Sequence, residues 1–79
     1  MASDHRHEII CQNVAGLLRL EREKQNLSMN EIAQRAGLSQ QMVSYVERGM
    51  RNPTLETMLR MSAALGIDLG NLIKKASRK

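Results

Sequence analysis

The feature that most constrains this chain is a pair of short segments that begin with matching helix-start signals and are joined through a glycine. Ser28 opens the first segment and Glu31 follows three residues later, the spacing of a capping box, in which each side chain accepts a hydrogen bond from the other residue's backbone. Ser39 opens the second segment, and Gly37 precedes it at a point where glycine can adopt positive φ without steric cost. Two short helices joined so closely cross at roughly 90–120°. The sequence therefore predicts a helix-turn-helix over residues 29–48.

Three further helices are predicted from the same kinds of start and stop signal. Apolar residues at helical spacing predict a first helix over about residues 7–25, and Asn26 is suited to end it because asparagine tolerates the left-handed conformation. Thr54 is predicted to cap a fourth helix that ends at Gly66, and Asp68 to cap a short fifth helix. Since no strand-like alternation of β-branched residues occurs in the sequence, we expect an all-α fold, a compact five-helix domain.

The chain has 79 residues, a length that predicts a single domain. We expect residues 7–74 to form that domain, residues 1–6 to be a flexible N-terminus, and residues 75–79 to be a basic C-terminal tail. The formal net charge is +4, and the last six residues supply the whole excess of positive charge. Net charge therefore says little about a nucleic-acid partner, and the functional argument depends on the motif.

Several classes of function find no support in the sequence. Cys11 is the single cysteine, so no intrachain disulfide can form, which fits a cytoplasmic protein. No apolar run approaches the ~18 residues of a membrane span. The sequence contains no GxSxG, P-loop or HExxH motif, and His5 and His7 are too few to hold a metal ion. We therefore expect no enzymatic activity, no cofactor, no metal and no membrane association.

The second helix of the motif carries polar side chains on the face that would project from the domain. Gln40 and Gln41 lie in its first turn, where a recognition helix in the major groove meets base edges. A glutamine amide combines a donor and an acceptor that match N7 and N6 of adenine. Ser44 lies one turn later and can donate or accept a hydrogen bond. The residues expected to read bases are Gln40, Gln41, Ser44 and Tyr45.

Phosphate contacts are expected at the end of the second motif helix and near the starts of the helices. Free backbone N–H groups and the helix dipole favour anions at a helix N-terminus, and arginine pairs with phosphate directly. The residues expected to contact phosphate are Ser28, Ser39, Arg48, Arg51, Asn52 and Thr54. Such contacts would fix the register on the duplex, whereas base contacts would specify the sequence.

These residues give the chain a resemblance to the lambda-repressor/Cro/Xre-type helix-turn-helix family. The resemblance runs from about Val14 to Ile73 and is carried by Glu31-Ile32-Ala33, Ala36-Gly37-Leu38-Ser39, Val43-Ser44, Glu47-Arg48-Gly49 and Arg51-Asn52-Pro53-Thr54-Leu55. It implies a lambda-repressor-like fold that binds double-stranded DNA, with Glu47 paired inside the domain. Two departures imply weaker binding per subunit: Met29 replaces a frequent phosphate-contacting glutamine, and Tyr45 replaces a frequent arginine or lysine.

The sequence as a whole favours a sequence-specific transcriptional regulator that acts as a homodimer on a near-palindromic operator. A homodimer is expected because one recognition helix reads too few base pairs for useful specificity. Two alternatives stay open: a protein-interaction module, such as an antitoxin-like partner binder, and a non-specific binder that depends on the basic tail. The subtype also stays open among restriction–modification controllers, phage-type repressors and antitoxins, as does an unseen protein partner. The residues expected at the dimer interface are Leu69, Leu72 and Ile73.

Overall fold

A computed structural model describes residues 6–49 and 53–78 of the chain. These residues form the five predicted α-helices, with α1 beginning and ending one residue earlier than expected. Short connections join the helices, and each helix packs against at least two others. The helices are α1 (Arg6–Lys24), α2 (Met29–Ala36), α3 (Gln40–Glu47), α4 (Leu55–Leu65) and α5 (Leu69–Ser77).

The predicted N-caps of α2 to α5 are all present. Ser28 Oγ accepts a hydrogen bond from the Glu31 backbone N–H at 3.0 Å, and Glu31 Oε1 accepts one from the Ser28 backbone N–H at 2.8 Å, which completes the capping box. The side chains of Ser39, Thr54 and Asp68 each accept a hydrogen bond from the backbone three residues later. Each cap satisfies a backbone donor that the helix itself leaves unpaired, worth ~1 kcal/mol.

The turn between α2 and α3 depends on a left-handed residue at Gly37. Its φ is 71°, a conformation that other residues adopt only with strain. The turn is closed by the Leu38 backbone N–H, which donates to the Ala33 carbonyl at 2.9 Å. Arg60 of α4 also donates to the Ala36 carbonyl at 3.2 Å. The direction in which α3 leaves α2 is therefore held both by the turn and by α4.

The core is built from apolar residues of all five helices. Leu18 of α1, Ile32 of α2, Val43 of α3 and Met61 of α4 have no solvent-exposed surface. Burial of side chains of this size contributes roughly 1.5–3 kcal/mol each. α1 contacts α3, α4 and α5, while α2 contacts α3 and α4. The two helices of the motif therefore pack against α4 and α1 as well as against each other.

The C-terminal segment differs from the expected tail. α5 continues to Ser77, and Ala76 is buried in the core. Asn13 Nδ2 of α1 donates to the Ala76 carbonyl at 3.0 Å, which fixes the last turn of α5 against α1. The physical reason is spacing, because Ala76 lies seven residues after Leu69 and continues the same buried stripe. Of the expected flexible N-terminus, residues 1–5 lie outside the described residues, and Arg6 begins α1.

Two features are absent from the described part of the chain. No α-helix there is both long enough and apolar enough to cross a membrane. Within the same residues, no group of three or more histidine, cysteine, aspartate or glutamate side chains is arranged to hold a metal ion.

Candidate nucleic-acid interface

The two sides of α3 differ sharply in chemistry. Val43 and Val46 lie in the core, while Gln40 and Gln41 are exposed in the first turn and Arg48 is exposed just beyond the last. Ser44 and Tyr45 are half-buried at the border between the two sides. The helix therefore presents polar groups along one outward face while its apolar face is fixed to the domain, the arrangement needed for a helix that enters a groove.

Two of the expected base-reading side chains are joined to each other. Gln41 Nε2 donates a hydrogen bond to Tyr45 Oη at 3.1 Å across one helical turn. This bond uses one of the two amide protons of Gln41, so that the second proton and Oε1 stay available. One donor and one acceptor are what bidentate contact with adenine requires. Tyr45 can therefore orient the Gln41 amide before any base is bound.

The base-reading residues also share a concave surface with α2. A shallow depression of about 460 Å³ lies between the start of α2 and the outer face of α3. Met29, the first residue of α2, forms its apolar part and is itself half-buried. The side chains lining it are Met29, Gln40, Gln41, Ser44, Tyr45 and Arg48. The structure therefore brings all four expected base readers, together with Arg48, to one place.

The expected phosphate contacts are placed at helix starts. Ser28, Ser39 and Thr54 are the N-caps of α2, α3 and α4, and each side-chain oxygen accepts a backbone hydrogen bond there. The hydroxyl groups of Ser28 and Ser39 retain a proton that an anion could accept, whereas Thr54 donates its hydroxyl proton to Thr57 Oγ1 at 3.0 Å. Arg51 and Asn52 lie outside the described residues, so their expected contacts stay predictions.

The start of α2 also carries a negative charge. The pKa of Glu31 lies below its ordinary value, first because its carboxylate accepts the Ser28 backbone hydrogen bond and then because of the Ser28 side chain. Glu31 is consequently ionised at neutral pH and is exposed. A phosphate bound at this helix start would meet both the favourable dipole and the unfavourable carboxylate.

A buried ion pair fixes the far end of α3. Arg22 Nε and Nη2 donate to the two carboxylate oxygens of Glu47 at 2.6 and 3.0 Å, and Arg22 Nη1 donates to the Leu27 carbonyl at 2.7 Å. The two side chains are 11% and 1% exposed. The pKa of Arg22 is raised, first by its hydrogen bonds to Glu47, so the arginine stays charged. The resemblance implies a paired Glu47, but no pattern in the sequence identifies Arg22 as its partner.

The residues expected at the dimer interface lie largely inside the protomer. Leu69 and Leu72 are 6% and 9% exposed and belong to the core, so their side chains are already covered by the protomer itself. Ile73 packs against the core and is half-buried. More exposed apolar surface lies elsewhere, at Leu20 of α1 and at Leu55 and Leu59 of α4.

Comparison with known proteins places this geometry in a family. A helix-turn-helix family model matches residues 18–72. The uncharacterized HTH-type transcriptional regulator y4dJ of Sinorhizobium fredii is 46% identical over 55 residues, which are 70% of this chain and 70% of that protein. Control protein C.SmaI of Serratia marcescens is 33% identical over 72 residues, or 91% of this chain and 81% of that protein. By contrast, the chain spans 42% of the length of the Mycobacterium tuberculosis regulator Rv0474, to which it is 34% identical.

The fold has a close match among solved structures. The crystal structure of the restriction-modification controller protein C.AhdI from Aeromonas hydrophila superposes with a TM-score of 0.72 at 33% identity, covering 80% of this chain and 94% of that chain. The expected all-α, five-helix architecture is thereby confirmed. The family match and this fold agree on a binding domain rather than an enzyme. The chain belongs to the Xre and lambda-repressor type of the helix-turn-helix family, a family of DNA-binding transcription regulators.

Proposed function

We propose that this protein is a sequence-specific regulator that binds double-stranded DNA as a homodimer, with α3 in the major groove of a near-palindromic operator. The observation that carries the proposal is the outward face of α3, where Gln40, Gln41 and Ser44 stand together beside Arg48 while Val43 and Val46 fix the opposite face. Hydrogen-bonding side chains on one rigid helical face are suited to base edges. The single cysteine fits action in the cytoplasm.

In this binding mode Gln41 reads an adenine. Its Oε1 accepts from N6 and its remaining amide proton donates to N7, while Tyr45 holds the amide in place. Gln40 and Ser44 contact neighbouring base edges. The expected phosphate contacts from Ser28, Ser39, Arg48, Arg51, Asn52 and Thr54 fix the position of α3 in the groove.

The homodimer follows from the small size of the reading surface. Two copies of α3 would lie ~34–36 Å apart on successive major grooves. Because Leu69 and Leu72 are covered within the protomer, the apolar contact would come from Ile73 and from exposed leucines such as Leu20 and Leu59. Among the possible subtypes, a controller-type regulator is favoured, since the chain covers most of the length of C.SmaI and of C.AhdI.

The experiment that tests the proposal is selection from a random duplex library at low salt, followed by measurement of oligomeric state on the selected site. We expect one enriched sequence with two related half-sites, bound by two copies of the chain. The double substitution Gln40→Ala/Gln41→Ala should reduce discrimination among bases while leaving the fold intact. A library with no enriched sequence would refute the regulator proposal and favour the protein-interaction alternative. Enrichment without half-site symmetry would refute the homodimer.

A further inference from the structure

Met29 stands where the family often has a phosphate-contacting glutamine, and its side chain lies among the residues expected to read bases. Met29 begins α2, is half-buried, and lines the same depression as Gln41 and Tyr45. Its side chain has no hydrogen-bond donor, so it cannot serve a phosphate as a glutamine would. The thioether is apolar, flexible and polarizable, which suits close contact with a small apolar group.

The major groove offers one apolar group of this kind on natural, unmodified bases. Adenine, guanine and cytosine present donors and acceptors there, whereas thymine presents O4 together with its C5 methyl group. A methyl group pressed against Met29 would leave water without leaving a polar partner unsatisfied. Tyr45 lies in the same depression, and its ring can complete the apolar contact while its hydroxyl holds Gln41. An adenine read by Gln41 pairs with a thymine, and a neighbouring step can supply another.

We propose that Met29 and Tyr45 form a contact site for the C5 methyl group of a thymine in each half-site. The inference rests on the proposed function, because it requires α3 to lie in the major groove. Met29 cannot make the phosphate contact that a glutamine would make at this position. In its place, Met29 contacts a base and so contributes to specificity. The ligand class is a 5-methylpyrimidine, and thymine is the member present in unmodified DNA.

The experiment uses the full chain and the duplex selected above, in which each thymine is replaced singly by deoxyuridine. This change removes the methyl group and keeps every hydrogen-bonding group of the base. We expect one position in each half-site at which the replacement weakens binding about fourfold, the effect of exposing one methyl-sized group. The Met29→Ala variant should bind the thymine duplex more weakly and should show a smaller penalty for deoxyuridine at that position, because only the Tyr45 ring still contacts the methyl group.

Met42→Ala is the matched control, because Met42 is an exposed methionine of α3 that does not line the depression. The Met42→Ala variant should retain the full penalty for deoxyuridine. An equal penalty in the Met29→Ala variant and the unaltered protein would overturn the inference, as would a selected site with no thymine sensitive to the loss of its methyl group. A library with no enriched sequence would instead refute the proposed function, and this contact with it.

A second measurement does not depend on the folding of a variant. The methyl groups of the methionines are labelled with ¹³C, and the spectra of the complexes with the thymine and deoxyuridine duplexes are compared. The Met29 methyl resonance should differ between the two complexes, whereas the Met42 resonance should not. Identical Met29 resonances would overturn the inference even where the affinity data agree with it.

Discussion

Arg22 of α1 and Glu47, the last residue of α3, form two parallel hydrogen bonds in a place where water scarcely reaches either side chain. The pair connects the end of the reading helix to the longest helix of the domain. Arg22 also donates to the Leu27 carbonyl, in the connection that leads into α2. One guanidinium therefore links both helices of the motif to α1, and it does so without contributing to the outer face.

The first prediction concerns this pair. Replacing Glu47 with alanine leaves the Arg22 charge buried without its partner, and we expect a loss of ~3–5 kcal/mol in the free energy of unfolding. The matched control is Glu23→Ala, which breaks the exposed Arg19–Glu23 pair and should cost less than about 1 kcal/mol. Urea unfolding of both variants measures the difference. Similar losses in the two variants would contradict a structural role for the buried pair.

The second prediction concerns acid. Because the pKa of Glu31 is lowered in the folded protein from its ordinary value of 4.5, its contribution to stability is present above that value. The contribution is lost as the pH falls through the lowered pKa, since protonation removes the charge that accepts the Ser28 hydrogen bond. Glu31→Gln keeps the acceptor of a capping box but does not titrate. The stability advantage of the unaltered protein over Glu31→Gln, measured by thermal unfolding, should shrink on acidification. A stability difference between the two proteins that is the same at all pH values would contradict this prediction.

The third prediction compares two glycines. Gly37 and Gly66 have nearly equal φ values of 71° and 73°, so alanine at either should cost roughly 1–2 kcal/mol from the left-handed backbone alone. A methyl group at Gly37 would also lie 2.9 Å from Arg60 Nη1, whereas nothing lies within 4 Å at Gly66. We expect Gly37→Ala to be slightly the more damaging in urea unfolding, because Arg60 must move and so disturbs its hydrogen bond to the Ala36 carbonyl. In an Arg60→Ala background the two glycine substitutions should cost the same, and a persistent difference would exclude Arg60 as its cause.

The fourth prediction concerns the orientation of Gln41. Tyr45→Phe removes the hydroxyl that accepts the Gln41 amide proton but keeps the ring. Loss of one neutral hydrogen bond corresponds to about 0.5–1.5 kcal/mol, so discrimination at the base read by Gln41 should fall by up to about tenfold. Binding to the selected site and to its single-base variants measures this. In a Gln41→Ala background the same tyrosine change should have no further effect on that base, and an undiminished effect there would contradict the positioning role.

The sequence predicted what is decided locally. A cap depends on residues three positions apart, and a left-handed helix end depends on one residue. The sequence alone therefore predicts the roles of Ser28 with Glu31, of Gly37 and of Asn26. The outer face of α3 could also be predicted, because Val43 and Val46 identify its inner side.

Contacts between residues that are far apart in the sequence could not be predicted in this way. Arg22 and Glu47 are 25 positions apart, and no periodicity relates them. The stripe of Leu69 and Leu72 shows that one face of α5 is apolar, but it does not show whether α1 or a second copy covers that face. The structure shows that the protomer's own core does. The role of Met29 likewise emerges only when the start of α2 and the outer face of α3 are seen to share one surface.

The capping box at the start of α2 has a consequence for evolution as well as for folding. The ionised Glu31 completes the hydrogen bonds that hold the helix start, yet under the proposed binding mode the same charge stands where a DNA phosphate approaches and repels it. Stability and affinity therefore make opposite demands on one side chain. A neutral residue there would exchange part of the fold's stability for tighter binding, so selection at this position can set how much regulator is needed to fill an operator.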